Sequence, residues 1–137
     1  MTDPAWCSPV LVLERFLTNT ATVVSFVGTD DGLAHFSAYQ PVPSETPTAS
    51  TSLVQHLSQI ELYLDPKTFL PAKISFNTHP DNNVLVDLPV LVEFSNYQRV
   101  NGITAPMHIK RYMNGTLALD IQVENVTVNS GLSSTSF

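Results

Sequence analysis

A single cysteine, Cys7, rules out an internal disulfide, and the redox compartment cannot be read from cysteine usage. Cations are scarce as well. Six Lys and Arg stand against twelve Asp and Glu, the net charge is -6, and the six form no basic stripe, which excludes a nucleic-acid role. No apolar run approaches the roughly 18 residues that a membrane-spanning helix needs. The richest such run, "SPVLVLERFL", is broken by Glu14 and Arg15. Asp3 and Pro4 stand where a secretory leader carries basic residues, so no signal peptide is expected. Catalytic signatures are missing too: there is no HExxH, no Cys pair and no G-x-S-x-G elbow. His35, His56, His79 and His108 lack ligand spacing, and His79 with Asp81 in "THPDNN" reads better as turn chemistry than as an ion site. The chain is therefore expected not to be an enzyme and to carry no cofactor or metal.

What is present is apolar and patterned. Hydrophobic residues make up 43% of the 137 and charged residues 13%, which fits one globular domain over 1–137 with a single core. Val10, Leu13, Phe16 and Leu17 follow one helical face, and Ser8-Pro9 is a helix start, so a short helix is expected over Pro9 to Thr18. Ala21 to Val27 and Leu33 to Gln40 are β-rich runs flanking "GTDDG", the mark of a hairpin. The Pro/Ser/Thr-rich stretch 41–52 offers nothing to bury and reads as a mobile internal loop, followed by one helical turn at Leu53 to Leu57.

From Ile60 onward, apolar parity can be tested against turn length. A five-residue loop "DPKTF" pairs Leu64 with Leu70, Leu62 with Ala72 and Ile60 with Ile74, and sets Glu61 facing Lys73. A second, "HPDNN", pairs Phe76 with Val86 and Ile74 with Leu88. A two-residue loop at Asn101-Gly102 pairs Val100 with Ile103 and Phe94 with Ile109. At Asn114-Gly115 a two-residue loop mixes the faces, whereas a three-residue loop through Thr116 pairs Met113 with Leu117, Ile109 with Ile121 and Met107 with Val123. The same register sets Lys110 between Glu93 and Asp120, alternating charge on the outer face. Near Asn125 the parity switches, predicting a bulge and a curled sheet. Glu61, Asp87, Glu93, Asp120 and Glu124 all fall on outward positions, where solvation or pairing with Lys accounts for them.

The segments "IELYLDPKTFLPAKISF" and "VEFSNYQRVNGITAPMHIKRYMNGTLALDIQVENVTVNSGL", about half the chain, carry a further pattern. A strand enters "LDPKTFLP", and a long strand ends in Tyr97 before "VNG". Pro106 and Ile109 then start a returning strand, and an "NG" turn leads into "VTVNSGL". This resembles the C-terminal part of bacterial envelope proteins related to the outer-membrane lipoprotein carriers. The resemblance implies an incomplete antiparallel barrel plugged by helices, export to the periplasm or cell envelope, handling of a lipid or acyl chain, and no cofactor.

The expected architecture is thus α+β: a curved antiparallel sheet of about seven strands, covered on its apolar face by the Pro9 to Thr18 helix and the Leu53 turn. One residue breaks the pattern. Arg111 falls on the apolar parity of Met107, Ile109 and Met113, opposite Val92 and Leu119, where a charge is costly unless paired or led out to solvent. The candidate ligand-binding set is therefore Arg111 with Val92, Phe94, Ile109, Leu119 and Ile121, an apolar row with a guanidinium at its mouth. The expected function is non-enzymatic binding of an apolar or lipid-like ligand, or of a lipoprotein segment, on the concave face. The alternative is a structural or protein-interaction module with a filled core and no ligand.

Overall fold

Among the described residues, seven strands follow one another along the chain and pair with their sequence neighbours, so the connections between them are hairpins or short excursions. The structure is a computed structural model, and it describes residues 14, 18, 21–42, 47–127 and 131. The strands are β1 (Val23–Asp30), β2 (Leu33–Tyr39), β3 (Ile60–Leu64), β4 (Pro71–Thr78), β5 (Leu88–Val100), β6 (Ile103–Met113) and β7 (Thr116–Gln122). One helix, α1 (Thr48–Ser58), joins β2 to β3. The sheet is antiparallel throughout and stays open, half a barrel rather than a closed one. Most of the expected Pro9 to Thr18 helix lies outside the described residues. Glu14 and Thr18 are helical and exposed, and the Thr18 hydroxyl donates to the Glu14 carbonyl at 2.7 Å.

Turn chemistry sets the ends of three hairpins. Asp31-Gly32, Asn101-Gly102 and Asn114-Gly115 all have positive φ at both residues, the type I′ geometry that matches strand twist. At Asn101-Gly102 the pairing is as expected, with Val100 opposite Ile103 and Phe94 opposite Ile109. Asn114-Gly115 is also a two-residue turn, which corrects the three-residue expectation and sets Met113 opposite Thr116. A bulge beside Arg111 absorbs the extra residue, so the register beyond it, Lys110 with Asp120 and Ile109 with Ile121, is the expected one.

The earlier hairpins differ from expectation by an even number of residues, which preserves the faces. Leu62 pairs with Ile74 and Ile60 with Phe76, not with Ala72 and Ile74, so Glu61 faces Ser75 rather than Lys73. The reason is local. Asp65 accepts from the Lys67 and Thr68 amides, and Phe69 takes φ 58°, winding the turn out to Leu70; a bulge between Tyr63 and Leu64 then puts Leu64 opposite Pro71. Between β4 and β5 the loop runs from His79 to Asp87, so Phe76 meets Val90 and Ile74 meets Val92, rather than Val86 and Leu88. That loop is held by its own turns: the Asn83 amide donates to the Pro80 carbonyl and the Val86 amide to the Asn83 carbonyl. At the C-terminal end, β7 stops at Gln122, so the expected bulge at Asn125 is a strand end instead.

The stretch 41–52 is corrected as well. Residues 43–46 lie outside the described set, and Pro47 is the N-cap of an eleven-residue helix, not part of a loop. The Thr51 and Ser52 hydroxyls donate back to the Pro47 and Thr48 carbonyls, so residues that read as loop formers satisfy helix backbone here.

One transverse row explains the core. Phe26, Phe36, Leu62, Ile74, Val92, Arg111 and Leu119 stand opposite one another across all seven strands, hence on one face. Leu62, Ile74, Val90, Val92, Phe94 and Ile109 form the buried cluster, with Phe36, Ile60, Leu64, Phe76, Tyr97 and Ile121 packed against it. Every one of these is a strand residue. α1 adds none and is held at the margin by polar ties, the Gln40 amide donating to the Ser58 hydroxyl at 3.0 Å among them.

Candidate functional site

The expected ligand row is brought together on the inner face, but with unequal exposure. Val92 is wholly buried, Phe94 is 4% exposed and Ile109 7%, all inside the core cluster. Ile121 is half-buried against that cluster, Arg111 is half-buried, and Leu119 on β7 is 40% exposed. At the opposite edge Phe26 is 63% exposed, with its ring edge-on to Phe36 at 5.4 Å between centroids. The apolar face is therefore closed at its centre and open at both edges.

Two shallow cavities open instead among polar side chains of the outer face. One, of about 210 Å³, is lined by Lys73, Glu93, Ser95, His108 and Lys110 with Ala72 and Phe94. The other, of about 300 Å³, lies between His56, Gln59, Glu61, Ser75, Phe76 and Asn77. Neither is bounded by Val92, Ile109, Arg111, Leu119 or Ile121.

The outer face carries a feature that spacing along the chain concealed: each of the four histidines meets a carboxylate. His35 Nε2 lies 2.6 Å from Glu61, whose other oxygen accepts from the Ser37 hydroxyl at 2.9 Å and the Gln59 amide at 2.6 Å. Burial works against ionisation of Glu61, but the hydrogen bonds from Gln59, His35 and Ser37 outweigh it and hold the carboxyl below its usual range. The His35 ring also stacks on Tyr63 at 4.4 Å, and burial, then the charges of Glu61 and Asp30, push that phenol up. His108 Nε2 lies 2.5 Å from Asp120.

The third group joins α1 to the β4–β5 loop. His56 Nε2 is 2.9 Å from Asp87 Oδ1, and His79 Nδ1 is 3.4 Å from the same oxygen. The three ligand atoms lie within 4.8 Å of one another. The chain brings His79 to Asp87, not to the Asp81 beside it in sequence; Asp81 is exposed in the loop. What assembles the group is the nine-residue length of the loop, which no periodicity reports. Comparison with family models, with curated proteins and with solved structures returns no match for this chain.

Proposed function

We propose that this domain is a non-enzymatic protein-interaction module with a filled core, which meets its partner along the open margins of the apolar face. The observation that carries the reading is the gradient across the transverse row: Val92 at its centre is wholly buried, while Phe26 and Leu119 at its ends are 63% and 40% exposed. A cup for an acyl chain needs space at the centre of the row, and the near-zero exposure of Ile74 and Val92 there supports a filled one. Apolar side chains on edge strands, beside unpaired backbone groups, are where a partner strand or loop gains most from docking.

A second reading, an apolar or lipid-like ligand on the concave face, is favoured by one specific feature: a guanidinium, Arg111, standing in an otherwise apolar row next to the exposed Leu119. The setting we propose for either reading, the periplasmic side of a bacterial envelope, rests on the resemblance to the lipoprotein carriers. No helix among the described residues is long and apolar enough to cross a membrane.

Titration of the folded protein with a fluorescent long-chain fatty acid, and with a neutral alcohol of the same length, separates the two. The interaction module gives no saturable signal. Saturable binding that Arg111→Leu weakens for the acid but not for the alcohol overturns it in favour of the lipid reading.

A further inference from the structure

We propose that His56, His79 and Asp87 form a site for a divalent transition metal of the zinc class, and that the ion clamps α1 to the β4–β5 hairpin. The proposal is independent of what meets the inner face.

The backbone supplies two of the ligands. Thr78 and Leu88 form the last pair of the hairpin, with the Thr78 hydroxyl donating to the Leu88 carbonyl at 3.3 Å. His79 and Asp87 are the next residues outward on each side, so pairing itself holds them across the loop mouth. The third ligand comes from the last turn of α1, where His56 reaches the same carboxylate oxygen from a separate element.

Spacing and chemistry fit the zinc class. Bonds of about 2.0–2.1 Å in tetrahedral geometry put neighbouring ligand atoms roughly 3.4 Å apart. The observed 2.9 Å and 3.4 Å bracket that value, and the remaining pair lies within 4.8 Å, a gap that a small rotation of the exposed His56 side chain closes. Two imidazoles and one carboxylate select zinc, copper or nickel over calcium and magnesium, which take oxygen shells. Three protein ligands leave a fourth position for water.

The His79 ring is held with its Nδ1 turned toward this group. Only 12% of its side chain is exposed, and its Nδ1 lies 3.2 Å from the Val86 carbonyl and faces Asp87. Its Nε2 is buried without a hydrogen-bond partner, so all its polar anchoring is on the Asp87 side. The Val86 carbonyl and the Asp87 carboxylate are both acceptors, so a metal on Nδ1 takes the place of the proton given to them, and the remaining ring proton sits on Nε2. His56 and Asp87, at 43% and 40% exposed, leave the ion a way in. The other two histidine–carboxylate pairs, His35 with Glu61 and His108 with Asp120, each offer one imidazole and serve as internal controls.

Because α1 contributes nothing to the core cluster, a metal bridge to the hairpin adds a cross-link that the folded state gains and the unfolded chain lacks. The test is calorimetric titration of chelator-treated protein with Zn²⁺, alongside thermal unfolding and the visible spectrum of the Co²⁺ form. The expected result is one ion per chain, a melting midpoint that rises to a plateau with Zn²⁺ and not with Mg²⁺, and a Co²⁺ band typical of nitrogen and oxygen ligands. His56→Gln, at an exposed position outside the core, should lower affinity at least about tenfold, and Asp87→Asn likewise, while His108→Gln changes nothing. Circular dichroism of each metal-free variant confirms that it is folded. Absence of stoichiometric binding, or binding undiminished in folded His56→Gln, overturns the site.

Discussion

Lys110 stands directly opposite Glu93 on one neighbouring strand and Asp120 on the other, so acid, base and acid alternate across β5, β6 and β7. Lys73 extends the ladder on the far side of Glu93. The register is fixed, yet the Asp120 carboxylate is taken by His108, and among the described residues no ion pair within 4 Å holds Lys110. Cross-strand charges so placed act through the solvent. Lys110→Ala should therefore cost at most about 1 kcal/mol in urea unfolding, and less at high salt.

The gradient across the inner face predicts an equally graded response to truncation. Ile74 is 1% exposed and lies between Leu62 and Val92, so Ile74→Ala leaves a cavity and should cost about 2–5 kcal/mol. Leu119→Ala, at a half-open edge, should cost well under half of that. Equal losses at the two positions would show that the margin is covered as tightly as the centre.

Gly102 tests the hairpin. It sits at φ +85° with nothing within 4 Å of the place a Cβ would occupy, so an added methyl meets open space and the whole penalty is conformational. Gly102→Ala should destabilise by about 1–2 kcal/mol, read as a lower urea midpoint with an unchanged slope.

Glu61 predicts the acid limb of stability. Its pKa in the folded protein lies below the usual 4.5, because three hydrogen bonds to the carboxylate outweigh its burial. A group that binds its proton less readily when folded adds stability that is complete above the unfolded value and is lost as pH falls through the folded one. Unfolding midpoints should therefore drop as pH is lowered from about 5, and Glu61→Gln should flatten that slope.

Much of the sheet was written in the sequence, because strand parity has a period of two and Asn-Gly admits few conformations. Those two facts determine Val100 opposite Ile103 and Phe94 opposite Ile109, whereas the Lys110–Asp120 pairing follows from parity alone and is delivered by the bulge beside Arg111, not by the turn. They also put Arg111 on the apolar face between Val92 and Leu119. Parity is blind to a slip of two or four residues, and so the loops after Leu64 and Thr78 were decided by tertiary structure: by the Asp65 side chain winding one turn, and by the turns within the other. The N-terminal part of the helix at Thr48–Ser58 was hidden for a different reason, whereas Leu53 to Leu57 reads as helical. That part buries no apolar stripe in the core, so no helical periodicity announces it, and its serines and threonines bond to its own backbone. The meeting of His56, His79 and Asp87 needs both elements together, one ligand on the helix and two at the mouth of the lengthened loop. A one-dimensional pattern reports which face a residue takes, and only the fold decides which distant residue shares its place.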